Sequence, residues 1–161
     1  MDVTKVLSYA LEREREGHRF FSEHAAKASH ASVVHVFRRL AAEELAHIKF
    51  VERLLAEQGA KKPSSVEPPA QDAGFFSERA ASEMIEQTTV EAMVPDLPVL
   101  RMAFLIERDL SEFYRNAARH AEGEAKKALE MLSAWETEHE RLFKTLHDKV
   151  FAEYSGMPWG G

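Results

Sequence analysis

Four glutamates and two histidines occupy positions that the surrounding hydrophobic pattern reserves for buried side chains. Glu14 lies four residues after Ala10, seven after Leu7 and seven before Phe21, and Glu107 holds the same place among Ala103, Leu100 and Tyr114. Glu44 follows Leu40 by four and His47 precedes Val51 by four; Glu136 and His139 do likewise between Leu132 and Phe143. Spacings of three, four and seven put side chains on one helical face, so all six point the way the apolar stripe points. An ionised group buried alone costs several kcal/mol, so a cluster of carboxylates needs compensation. Two divalent cations cancel four carboxylates while neutral imidazoles supply further lone pairs. Carboxylate oxygen and imidazole nitrogen suit Fe and Mn, and also Zn.

The stripes that must position these residues fall in four long blocks with helical periodicity. They run from about Asp2 to Ser29, Ser32 to Gln58, Asp96 to Glu122 and Glu124 to Glu153. Gly59 and Pro63 supply the stop after the second, and Gly123 the turn before the fourth. Short links make the first and second helices antiparallel neighbours, and likewise the third and fourth. Between the pairs lies a connection over about 60–95, Pro- and Ser-rich at first, with a short helix expected from about Glu78 to Gln87. A connection of that length is uncommon in a compact domain unless it carries the chain along a bundle edge, as the crossover of ferritin-like folds does. The reading is therefore all-α: one ferritin-like four-helix bundle over 1–154, followed by a flexible tail over 155–161 whose Trp159 is a candidate docking residue.

The halves repeat. At an offset of ninety-three, Val6, Leu7, Ala10, Glu14, Arg15, Phe20, Ala25 and Ala28 fall on Val99, Leu100, Ala103, Glu107, Arg108, Phe113, Ala118 and Ala121. At ninety-two, Leu40, Glu44 and His47 fall on Leu132, Glu136 and His139. The bundle is a duplicated helical hairpin. Of the eight histidines, only His47 and His139 have a glutamate three residues before them, and these two coincide under the repeat. A single Glu-x-x-His is a weak signal; two in register, each with a stripe glutamate on the preceding helix, match the ligand pattern of ferritin-like di-metal proteins.

Other polar residues receive plainer readings. His18 is expected at the surface or behind the ligands, and His24, His30, His35 and His120 near solvated helix ends. Glu12, Glu16, Glu43 and Glu138 read as charged outer-face residues, and Met84, Met93, Met102 and Met131 as packing residues.

Composition narrows the function classes. The chain has 161 residues, 45% of them hydrophobic, enough for one domain with a substantial core. The absence of cysteine excludes disulfides, thiolate catalysis and Cys-held zinc or iron–sulfur clusters. A formal net charge of −6 argues against nucleic acid or anionic membrane as the main partner. No signal-peptide core and no transmembrane-length apolar run is present, so a cytoplasmic location is expected.

The sequence resembles the rubrerythrin-like branch of the ferritin-like superfamily. The motifs that carry the resemblance are EREREGHRFF with Glu14 and Phe21, EELAH with Glu44 and His47, ERDLSEFY with Glu107 and Tyr114, and ETEH with Glu136 and His139. The resemblance implies a pair of iron ions bridged by Glu44 and Glu136, with Glu14 and His47 completing one metal and Glu107 and His139 the other. It also implies redox chemistry with O2 or H2O2 as oxidant. Three departures stand out. Full rubrerythrins carry a rubredoxin-like iron held by four cysteines, and this chain has none, so its electron donor is external. Leu110 occupies the place of an extra glutamate associated with peroxide chemistry. Phe21 replaces a tyrosine found in both halves of many relatives, leaving Tyr114 alone to offer a hydroxyl to a ligand carboxylate and make the metals unequal. A homo-oligomer, with a dimer favoured, is expected. Iron storage or delivery, and a helical binding module with a non-catalytic metal site, are the alternative readings.

Overall fold

The computed structural model describes residues 2–57 and 94–157. They form four helices, α1 (Val3–Lys27), α2 (Ala31–Glu57), α3 (Asp96–Ala118) and α4 (Gly123–Ser155), with no strand among the described residues. This is the all-α four-helix bundle expected. The short helix over 78–87, Met84, Met93 and Trp159 lie outside the described residues.

The helices begin and end where local chemistry dictates. The Asp2 carboxylate accepts from the Lys5 backbone N–H at 3.2 Å, satisfying one of the free donors of the α1 N-terminus. Gly123 opens α4 at φ +58°, a left-handed conformation that disfavours side chains and lets the chain reverse after α3. Between α1 and α2, the turn is held from outside. The buried Asp96 carboxylate accepts from the backbone N–H groups of Ser29, at 3.0 and 3.1 Å, and of His30, at 2.7 Å. The first residue of α3 thus pins the first hairpin to the second. Because these bonds go to a charged acceptor, Asp96→Ala is expected to destabilise the protein by about 2 to 3 kcal/mol, read as a lower denaturant midpoint at unchanged slope.

Two apolar clusters fill the bundle. One gathers Leu7 and Leu11 of α1, Val51 and Leu55 of α2, Ile106 and Leu110 of α3, and Leu129 and Leu132 of α4. The other gathers Phe21 of α1, Phe37 of α2, Leu97 and Leu100 of α3, and Phe143 and Val150 of α4. Followed along the chain, α1 and α4 run from the first cluster to the second, while α2 and α3 run back. The chain therefore leaves α2 at one end of the bundle and starts α3 at the other, as a crossover connection requires.

Met102 packs in the first cluster as expected, but Met131 does not: it is 43% exposed. Its position in α4 follows Leu129 by two, which rotates it away from the stripe.

Candidate metal centre

The middle of the bundle, between the two apolar clusters, is polar. Glu14 comes from α1, Glu44 and His47 from α2, Glu107 from α3, and Glu136 and His139 from α4, and none is more than 6% exposed. The structure thus brings together all six residues singled out from the sequence.

They form two overlapping groups. Potential ligand atoms of Glu14, Glu44 and His47 lie within 4.8 Å of one another, as do those of Glu44, Glu107, Glu136 and His139. Glu44 belongs to both. Glu136 faces both imidazoles, with Oε1 3.3 Å from His47 Nδ1 and Oε2 3.2 Å from His139 Nδ1. His47 Nδ1 also lies 3.1 Å from Glu14 Oε2, and His139 Nδ1 lies 3.2 Å from Glu44 Oε1 and 3.7 Å from Glu107 Oε2. The two rings stack at 5.3 Å and 13°. In both, Nδ1 is the nitrogen that meets the four central carboxylates.

Several of these atoms approach one another without forming hydrogen bonds. Glu44 Oε1, Glu107 Oε2, both oxygens of Glu136 and His139 Nδ1 are buried and have no hydrogen-bond partner among the described residues. Lone pairs aimed at a common space, rather than at donors, are what cation binding requires. The donor set is all oxygen and imidazole nitrogen, which fits iron or manganese.

Without a cation, protons must balance the charge. Burial, and then the Glu136 carboxylate, push the Glu14 and Glu107 carboxyls well above the usual range. Burial would also raise Glu44 and Glu136, but the His139 and His47 imidazoles hold both below it. For His47, burial opposes protonation, yet Glu136, Glu14 and Glu44 push its pKa up to about 12. His139 is driven up in the same way by Glu107, Glu136 and Glu44.

A further set of residues surrounds the six. The Tyr114 hydroxyl donates to Glu14 Oε1 at 2.5 Å, the contact with a central carboxylate expected from its position. Glu43 departs from its outer-face reading: only 37% of its side chain is exposed, and its Oε2 accepts from His139 Nε2 at 3.0 Å while Oε1 accepts from Arg39 Nε at 2.7 Å. Trp135, not singled out from the sequence, stacks on His47 at 4.6 Å and 8°.

The other histidines stand apart from the six. His18 Nδ1 meets the Ala41 carbonyl at 2.7 Å and links α1 to α2. His24 is not a solvated end residue: it is partly buried, its Nδ1 meets the Phe20 carbonyl at 2.9 Å, and burial lowers its pKa. His30 meets Ser32 and Glu153, whereas His35 and His120 are exposed as expected. Glu12 and Glu138 pair with Arg15 and Arg141 on exposed faces, while Glu16 pairs with Arg13 on a largely covered one.

The family model for rubrerythrin matches residues 5–94 and 98–158, nearly the whole chain. The chain belongs to the rubrerythrin family. No curated protein and no solved structure matches it. Membership supports a ferritin-like di-iron protein, and the buried carboxylate and imidazole cluster fits a metal site. Among the described residues no helix is long and apolar enough to cross a membrane. Relative to the family pattern, Leu110 packs in the apolar core and Phe21 lies between Phe37 and Phe143, with ring centroids 5.9 and 5.2 Å away.

Proposed function

We propose that this chain is a non-haem dinuclear iron oxidoreductase that reacts with hydrogen peroxide or dioxygen as a peroxidase or ferroxidase, drawing electrons from an external donor. The observation that carries the reading is the sharing of carboxylates: Glu44 belongs to both groups, and Glu136 presents one oxygen to each imidazole. In this reading Glu44 and Glu136 would be shared between two cations, Glu14 and His47 would complete one position, and Glu107 and His139 would complete the other. A bound iron pair supplies two electrons to the oxidant, the number that peroxide reduction to water consumes. The protein holds the six side chains on four rigid helices, excludes bulk water with the flanking apolar clusters, and fixes His139 through Glu43. Partners in this reading are the oxidant, the donor and a second copy of the chain as a homodimer in the cytoplasm.

The test is to load metal-free protein with Fe(II) anaerobically and to follow ultraviolet absorbance after mixing with H2O2 or O2. The expected result is oxidation of two Fe(II) per H2O2, faster than for Fe(II) in buffer. A much faster reaction with H2O2 identifies a peroxidase, and a comparable or faster one with O2 a ferroxidase. Oxidation no faster than in buffer with either oxidant would sink the proposal.

A further inference from the structure

The two halves repeat the six central residues but not the residues behind them. At the offset that superposes His47 on His139, Glu43 falls on Trp135; at the offset that superposes Glu14 on Glu107, Phe21 falls on Tyr114. Each of the four contacts the cluster or its surroundings differently. On one side, His139 Nε2 meets the Glu43 carboxylate at 3.0 Å, and Glu107 Oε2 has no hydrogen-bond partner among the described residues. On the other, His47 lies flat against the Trp135 indole, which offers no acceptor, and Glu14 accepts the Tyr114 hydroxyl.

These differences act in one direction. When a histidine ligates a cation through its inner nitrogen, a carboxylate on the outer nitrogen holds the ligating tautomer and raises the ligand's basicity. His139 Nδ1 faces the Glu44, Glu107 and Glu136 carboxylates while Nε2 faces Glu43, so the inner nitrogen is the one turned toward the cluster. Arg39 holds Glu43 in place through the other carboxylate oxygen, so the contact with His139 is not in competition with it. On the opposite side, the tyrosine hydroxyl occupies a lone pair of Glu14 and draws charge from the carboxylate. Phe21, the repeat equivalent of Tyr114, has no hydroxyl to offer a carboxylate.

We propose that the two metal positions are chemically unequal, with the Glu107 and His139 position binding its cation first and tightly, and the Glu14 and His47 position holding the looser, exchanging cation. Glu43 is a positioning residue for the first, and Tyr114 attenuates the second. The proposal rests on the dinuclear reading above, and its test separates the two.

Metal-free full-length protein is titrated with Mn(II), with free Mn(II) read from its electron paramagnetic resonance signal. The wild type is expected to take up two Mn(II) in two unequal steps. Because repulsion between neighbouring cations also splits the steps, two variants decide the assignment. Glu43→Gln keeps an acceptor but removes the charge, and is expected to loosen the tight step by about 10- to 100-fold while sparing the weak one. Tyr114→Phe is expected to tighten the weak step and spare the tight one. The spectrum of bound Mn(II) at one equivalent is expected to change in Glu43→Gln and to match wild type in Tyr114→Phe. Two bound ions with both steps unmoved by Glu43→Gln, or moved equally, would overturn the inequality and leave the dinuclear reading standing. A wild type that binds no Mn(II) would overturn both.

Discussion

Metal-loaded protein is expected to melt above the same protein stripped by chelator, and Glu44→Ala is expected to erase the difference. A ligand that binds only the folded state adds RT ln(1 + [L]/Kd) to stability, about 2.7 kcal/mol for each site at a hundredfold excess of free metal over Kd. For a chain of this size that is roughly 5 to 10 °C in melting temperature for one ion, and more for two. Glu44 is the residue to replace because it belongs to both groups of potential ligands. Its replacement removes a donor from each position at once. In the metal-free state the same substitution also leaves His47 and His139 with one fewer carboxylate, the contacts at 3.7 and 3.2 Å. Calorimetric scans of wild type and variant, with and without Fe(II) under anaerobic conditions, read the effect. A wild type whose melting temperature ignores the chelator would contradict a buried metal site.

The second large effect is on pH. In the metal-free protein the carboxylates push His47 up to about 12 and drive His139 up as well, so both imidazoles are expected to hold protons at neutral pH. Burial and Glu136 raise Glu14 and Glu107, which therefore hold protons beyond the usual carboxylate range. Ligation requires neutral imidazole and ionised carboxylate, so loading two cations expels about two to four protons. Affinity for the pair is expected to rise by roughly a hundredfold or more per pH unit.

Stability of the metal-free chain moves the other way. His47 has a folded pKa of about 12 against an ordinary 6.5, so its contribution is complete below 6.5 and is lost as pH climbs toward 12. The raised Glu14 and Glu107 have the same sign, since the folded state again binds the proton more tightly. Glu44 and Glu136 are depressed, so their contribution is present above the ordinary carboxylate range and is lost as acid protonates them. Melting temperature of the metal-free protein is thus expected to fall from about pH 6.5 to pH 9 while the increment from metal grows. Proton release can be measured directly by calorimetric titration in buffers of different ionisation enthalpy. An increment that stays flat across this range would show that the six residues do not exchange protons for cations.

Much of this centre was legible because it violates a pattern. Glu14, Glu44, His47, Glu107, Glu136 and His139 interrupt stripes that are otherwise apolar, and an interrupted stripe is visible in one dimension. The bundle itself follows from the same stripes, from the short links and from the repeat. Residues behind the six follow no such rule. Glu43 is next to Glu44 and a hundred degrees around the helix, so it reads as a surface residue. Only the packing of α2 against α4 turns it toward His139. Trp135 likewise becomes meaningful only when the stacking on His47 is seen. Asp96 looked like an ordinary helix start; its contacts with Ser29 and His30 join residues more than sixty positions apart. His24 was misplaced because proximity to a helix end does not reveal whether an aromatic neighbour covers it. Its ring lies 4.1 Å from that of Phe20.

The central claim is that the six residues hold two cations per chain. Elemental analysis of protein purified without an affinity metal, stripped, reloaded anaerobically with Fe(II) and freed of excess metal tests it most directly. Two iron ions per chain are expected in the wild type, and loss of both in Glu44→Ala. No bound iron in the wild type, or the same content in the variant, would contradict it.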